Sequence, residues 1–242
     1  MRMRKSVTRV MLACSGLMIP WAAQAQTGGI SGTVGFEGTP PARRHLEVTA
    51  DNDVCGDTVM ANDLVINDGA VAYAVVWVEG AEGQVGAEQY KLSNTQCHFV
   101  PPVMAGTVGG TLIIENTDPV LHNTHLKLQF KRRGRTVANV ALPVAGLTIE
   151  NNRALRRPGL IDVSCDAHTW MHSKIWVFDH PYYAVTGEDG SFQIGDLEPG
   201  TYVVKVWHEV LGEREREVTV AADQVSGVDF GYGPSAMSGA SR

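Results

Sequence analysis

Past its first 25 residues the sequence has no apolar run long enough to span a bilayer, so an integral membrane protein built on helices is not expected. It has no amphipathic stretch with apolar residues at three- and four-residue spacing, which excludes a helical bundle. It has no G-x-S-x-G, no H-E-x-x-H and no phosphate-binding loop, so the common hydrolase and nucleotide chemistries lose their residues and no enzyme is expected. Basic residues are outnumbered, 20 Lys and Arg against 26 Asp and Glu. That balance argues against nucleic acid as a partner. Cysteine is scarce, with four in 242 residues, which excludes a disulfide-dense scaffold and makes each thiol worth placing.

The first 25 residues read as a secretory signal. Arg2, Arg4, Lys5 and Arg9 form a basic start, Val10 to Ala23 is a short apolar core, and Ala23-Gln24-Ala25 offers small residues for cleavage. Export to the periplasm follows as an expectation. Removing the signal takes its four basic residues and leaves a formal charge of −10. It also takes Cys14 and leaves Cys55, Cys97 and Cys165. In an oxidising compartment two of three pair, and the expected disulfide is Cys55–Cys97. Cys165 is then the odd thiol.

What remains is all-β in pattern. Val, Ile, Thr and aromatics recur in short runs broken by Gly, Pro, Asn and Asp. Residues 26–91 read as an N-terminal β extension that opens on the strand Ile30–Phe36, contains a long apolar strand, Ala70–Val78, and pairs either with the larger domain that follows or with the C-terminal module. Residues 92–179 read as a larger β domain, with Phe99–Val103 interrupted by two prolines and therefore placed on an edge. Residues 180–232 read as a small antiparallel sandwich, with Pro199-Gly200 at the centre of a type II turn. Residues 233–242 are small and polar and read as a disordered tail.

The chemistry gathers in one loop. Cys165, His168 and Met171 stand at C-x2-H-x2-M, placing a thiol, an imidazole and a thioether within seven residues. Calcium and magnesium prefer oxygen ligands, whereas thiolate, imidazole and thioether together suit copper. An electron-transfer copper site needs one further imidazole from elsewhere. His122 and His125, at the end of a well-marked loop, are the candidates. Basic residues also cluster between His122 and Leu160, at Lys127, Lys131, Arg132, Arg133 and Arg135 and again at Arg153, Arg156 and Arg157. A solvated set of loops is one reading of them. The other is a docking face for an acidic partner near 127–135 and 153–157.

Two halves of a pattern resemble the cupredoxin family. The first is Phe99-x-Pro, Gly109-Gly110, Thr111–Asn116 and His122-Asn123. The second is Cys165-x2-His168-x2-Met171 followed by Ile175-x-Val177. The short ligand loop is similar to amicyanin rather than plastocyanin. The remainder resembles a carboxypeptidase-regulatory-like, transthyretin-like module, through Asp189-Gly190-Ser191-Phe192, Pro199-Gly200-Thr201-Tyr202 and Val206-Trp207-His208-Glu209. Chains joining the two resemble exported cupredoxin-like proteins of the methylamine-utilisation type. The resemblance implies a Greek-key β-sandwich, one type 1 copper site and single-electron transfer with a redox protein partner. It implies His122, Cys165, His168 and Met171 as ligands, with Asn123 as a supporting residue that ties the two ligand loops together. His125 and His172 stand as possible auxiliary metal ligands. With them, the alternative is a copper-handling protein without electron traffic. A further alternative is a metal-free carbohydrate-binding or adhesion sandwich, which requires Trp77, Trp176 or Trp207 on an exposed platform.

Overall fold

The computed structural model describes residues 26–130 and 133–237. The expected signal segment, residues 131 and 132, and the last five residues of the tail lie outside them. The chain opens with β1 (Gly28–Phe36). A hairpin of β2 (His45–Glu47) and β3 (Thr58–Met60) encloses α1 (Asn52–Cys55), and β4 (Ile66–Asn67), β5 (Ala70–Val71) and β6 (Val75–Val78) follow. The next nine strands are β7 (Gln89–Thr95), β8 (His98–Val100), β9 (Val103–Thr107), β10 (Thr111–Asn116), β11 (His122–Phe130), β12 (Arg133–Leu142), β13 (Thr148–Asn151), β14 (Gly159–Ser164) and β15 (His172–Phe178). The chain closes with β16 (Tyr183–Val185), β17 (Ser191–Leu197), β18 (Gly200–His208), β19 (Gly212–Val220), β20 (Val225–Gly227), β21 (Phe230–Tyr232) and a single turn, α2 (Pro234–Met237). The fold is all-β.

Strands β7 to β15 build one sandwich. One sheet has the order β13-β10-β7-β8 and the other β12-β11-β14-β15-β9. Strands β10, β11 and β14 alternate buried and less buried positions, as a strand with one face on a core must. The inward faces meet in a core containing Leu92, Phe99, Leu112, Ile114, Leu126, Ile161, Val163 and Ile175. The interrupted run 99–103 is split between β8 and β9, each an edge strand of a different sheet, with a cis Val100–Pro101 bond between them. The sandwich begins at Gln89 rather than at 92, because β7 pairs in parallel with β10 from Gln89↔Thr111 onward.

The region 26–91 is not one extension. Its strands β1, β4, β5 and β6 belong to the C-terminal module, while its β2–α1–β3 segment packs on the large sandwich through Val48 and Val59. β1 pairs antiparallel with β17 and parallel with β20 and β21, so the module is not wholly antiparallel. β6 lies between β16 and β18. The apolar run 70–78 is therefore two strands, not one. Tyr73 adopts φ 62 between them, and the chain crosses from the sheet of β1 to the sheet of β18. A run buried on both of its faces looks the same in sequence whether it stays in one sheet or changes sheets. The tail also departs from expectation up to Met237: α2 sets Ala236 and Met237 against the module core.

The two bodies meet over an aromatic seam. Trp77 and Trp176 stack with centroids 5.2 Å apart, beside Phe178 and Trp207. Lys174 crosses the seam, bonding Asp162 at 2.7 Å and Glu209 at 3.0 Å. In the module His208 is 2% exposed, and its Nδ1 accepts the Val210 N–H. Burial lowers its pKa from the ordinary 6.5 to about 4, against a smaller opposing pull from Asp63. Above pH 6.5 both folded and unfolded chains hold this histidine neutral, so it has no effect on stability there. As the pH falls from 6.5 to about 4 the unfolded chain takes the proton and the folded chain does not, so stability is lost across that window. The full gap corresponds to about 3 kcal/mol. Denaturation midpoints measured from pH 7 to pH 4 should show this loss, and His208→Gln should flatten it. An unchanged pH slope in that variant would remove His208 as the cause.

Candidate metal centre

The end of the large sandwich where β11 starts and β14 stops carries the candidate residues. β11 and β14 are hydrogen-bonded neighbours, with His125 opposite Ser164. That pairing brings His122 to the loop after β14. The loop is closed by two backbone bonds, from Met171 N–H to His168 O at 2.9 Å and from Cys165 N–H to Met171 O at 3.3 Å. Cys165, His168 and Met171 are all buried. Met171 belongs to the same core as Cys165 and Trp170, and Trp170 donates its Nε1–H to Cys97 O.

His122, Cys165 and His168 converge, with one donor atom from each lying within 4.8 Å of the others. The Cys165 sulfur is 3.7 Å from His168 Nδ1, and the two Nδ1 atoms of His168 and His122 are 2.9 Å apart. The outer ring nitrogens are bound as well. His122 Nε2 donates to Asp118 Oδ2 at 2.9 Å, and His168 Nε2 donates to Asp51 Oδ2 at 2.8 Å. An ionised carboxylate only accepts, so each Nε2 must carry the ring hydrogen. In the neutral rings each Nδ1 then holds a lone pair, and the two lone pairs face each other beside a buried thiol. Two facing lone pairs repel, so the arrangement needs a cation between the donors, either a metal ion or a proton that one Nδ1 donates to the other. A soft cation fits it, because a thiol and two neutral imidazoles are its ligands. Burial lowers the His122 pKa, which favours neutral imidazole, although the bond to Asp118 opposes the shift.

Asn123 joins the two halves. Its backbone N–H points at the Cys165 sulfur at 3.5 Å, and its Oδ1 accepts the Asp166 N–H at 2.7 Å and the Ala167 N–H at 3.3 Å. Its Nδ2 reaches Asn139 and Asp166. The auxiliary candidates are not drawn in. His125 lies on the opposite face of β11, with Nδ1 on Asp166 at 3.0 Å and Nε2 on the Thr136 hydroxyl at 2.8 Å. His172 is exposed and opens onto a surface groove with Arg44, Glu47 and Glu209. Of the three tryptophans of the metal-free alternative, Trp77 is buried against Trp176 in the seam, and Trp176 and Trp207 are half-buried.

Cys55 and Cys97 form the expected disulfide, with Cα atoms 5.6 Å apart, and Cys165 is the free thiol among the described residues. Cys97 also lies near Asp118 and His122, but its sulfur is bonded to Cys55. Two residues of the centre escaped the sequence reading. Asp118 had a local signal, four residues before His122 in a turn that Asn116 organises by accepting its N–H. Asp51 had none, since it lies 117 residues before its histidine.

The two basic loops meet in one groove of about 340 Å³ lined by Arg135, Arg153, Arg156 and Arg157 over Leu128 and Val137. Leu128 is six residues along β11 from His122, about 20 Å in a strand, so the groove is at the far end from the centre. Nearer the centre, Leu121 and Val144 are 47% and 57% exposed. Asn116 holds their neighbourhood together by donating to the carbonyls of Val120, Leu142 and Val144.

Comparison with known proteins adds the following. Residues 172–232 match the carboxypeptidase regulatory-like domain family. The match begins within β15, a strand that pairs in the large sandwich. No curated protein matches the chain. Among solved structures, a copper-containing nitrite reductase from Thermus scotoductus is similar at 18% identity and TM-score 0.31, over 41% of this chain and 24% of its own. The chain thus spans about a quarter of that reductase. Auracyanin A, a blue copper protein from Chloroflexus aurantiacus, is similar at 14% identity and TM-score 0.33, over 38% of this chain and 100% of its own. A purple cupredoxin from Nitrosopumilus maritimus is similar at 20% identity and TM-score 0.31, over 38% of this chain and 99% of its own.

Proposed function

We propose that this chain is an exported type 1 copper protein that carries single electrons between redox partners and has no catalytic reaction of its own. The observation that carries the reading is the pair of imidazole Nδ1 atoms, 2.9 Å apart, with both Nε2 atoms held by carboxylates and a buried thiol alongside. Cys165, His122 and His168 would hold the ion, and Met171 would complete the set. Bound copper supplies a one-electron couple.

The protein's own residues do the rest. Asp118 and Asp51 set which nitrogen of each histidine faces inward. The Asn123 N–H and the closed loop 165–171 hold the sulfur in place. Burial of all three donors keeps water away from them. A frame held this firmly resists rearrangement when the charge at its centre changes, which is what fast electron transfer needs. Among the described residues we propose one site, because the second grouping, Cys97, Asp118 and His122, shares His122 and has its thiol in a disulfide.

The partner is a redox protein. The exposed apolar Leu121 and Val144 flank His122 and suit close contact with it. The arginine groove, about 20 Å away along β11, steers and anchors an acidic partner rather than passing the electron. Among the described residues no helix is long and apolar enough to cross a membrane.

Adding Cu(II) to the purified chain tests the reading. One equivalent should produce an intense visible thiolate-to-copper band and a reversible one-electron couple. Tight Cu(I) binding without colour would point to copper handling instead, and negligible uptake of either ion would sink both.

A further inference from the structure

Residues 45–60 lie over the candidate centre as a second layer. They are fastened at three places. Val48 and Val59 are buried in the core that holds Cys165 and Met171. Cys55 is bonded to Cys97, in the turn between β7 and β8. Asp51 Oδ2 accepts the His168 Nε2–H at 2.8 Å. His168 is 0% exposed, although Ala167 and Thr169 on either side of it are exposed.

The conformation of Asp51 is informative. An aspartate before a helical turn ordinarily caps it with its carboxylate. Asp51 makes no such bond. It adopts φ 55, a left-handed conformation rare for residues with a side chain, though Asp tolerates it better than most. Its backbone carbonyl accepts the N–H groups of Val54 and Cys55, which leaves the carboxylate for the imidazole.

We propose that Asp51 is the positioning residue of His168 and that residues 45–60 form a disulfide-fastened cover closing the imidazole edge of the centre. The proposal rests on the metal-binding reading above. A histidine can present either ring nitrogen and either tautomer. A carboxylate fixed on Nε2 selects the form with its lone pair on Nδ1, toward Cys165 and His122. Asp118 performs this task for His122 from the same loop. Asp51 performs it from a separate segment whose place depends on the disulfide. An electron partner therefore reaches the centre from the Leu121 and Val144 side and not across the His168 edge.

The test begins with metal-free full-length protein, so that it does not depend on copper uptake. Nitrogen NMR of the imidazoles should show His168 with a hydrogen held on Nε2 in wild type and as a mixture of the two nitrogen-protonated forms in Asp51→Ala. A mixture already present in wild type overturns the proposal whether or not copper binds. With copper, Asp51→Ala should weaken binding about 10–100-fold in chelator competition and shift both the visible band and the reduction potential. Asp51→Asn, which keeps an acceptor oxygen, should fall between Asp51→Ala and wild type. The Cys55→Ser/Cys97→Ser double variant should lose copper to chelators faster while Asp51 is intact. Circular dichroism confirms that each variant is folded. Affinity, band and potential equal to wild type in folded Asp51→Ala would overturn the assignment and leave the copper reading standing. A wild type with a single His168 tautomer but no copper band would uphold the positioning role and sink the copper reading.

Discussion

On the proposed copper reading, Cys165→Ser should abolish the visible band and most of the copper affinity, yet leave a folded protein. The band requires a covalent sulfur-to-copper bond, and a serine hydroxyl is a hard, weakly acidic donor that cannot supply one. The site is organised around this sulfur: the Asn123 N–H points at it from 3.5 Å and His168 Nδ1 is 3.7 Å away. Serine is close in size to cysteine, and its hydroxyl can donate to Asn123 Oδ1, which takes the thiol hydrogen at 3.3 Å in the parent. The cost to stability is therefore about 1–2 kcal/mol, a typical single-substitution effect. Met171→Leu is the contrast. It keeps thiolate and both imidazoles, so the band persists and the reduction potential shifts. Optical titration with Cu(II) and a thermal melt on each variant read the two effects separately. A band of wild-type strength in Cys165→Ser would mean that the colour arises elsewhere and that the ligand set is wrong.

The second large effect concerns the module. A fragment of residues 172–232, the stretch that matches the regulatory-like family, does not fold when expressed alone. β18 has β6 as its inner neighbour, and β17, β20 and β21 all pair with β1. The fragment lacks both β1 and β6. It also lacks Ile30, Val34, Phe36, Val71, Val76 and Val78, which fill the module core. Burying a side chain of this size is worth about 1.5–3 kcal/mol, so the loss is on the order of 10 kcal/mol. That is comparable to the whole stability of an ordinary domain, about 5–15 kcal/mol. The fragment should give collapsed amide NMR dispersion and no cooperative unfolding transition. A sharp melt from the fragment would show that β1 and β6 are accessories rather than parts of the core.

The sequence by itself named the three residues, His122, Cys165 and His168, that the structure brings together. Cys165, His168 and Met171 share one short loop, so their type and spacing can be read without knowing any pairing. His122 was legible through its Asn123 neighbour, and counting thiols left one unpaired, which the expected Cys55–Cys97 pair made Cys165. The all-β class was legible too, because alternation and turn residues are local signals.

Tertiary structure decided the rest, because strand pairing and close approach are non-local. Of the two partners the sequence left open for the N-terminal strands it chose the C-terminal module for β1 and β6, and it divided the run 70–78 at Tyr73, where burial on both faces concealed a change of sheet. It also kept the arginine groove away from His122 by setting Leu128 far along the same strand. Most of all it supplied Asp51. No periodicity or spacing marks that residue, and only a β-hairpin fastened through Cys55 and Cys97 brings its carboxylate to His168.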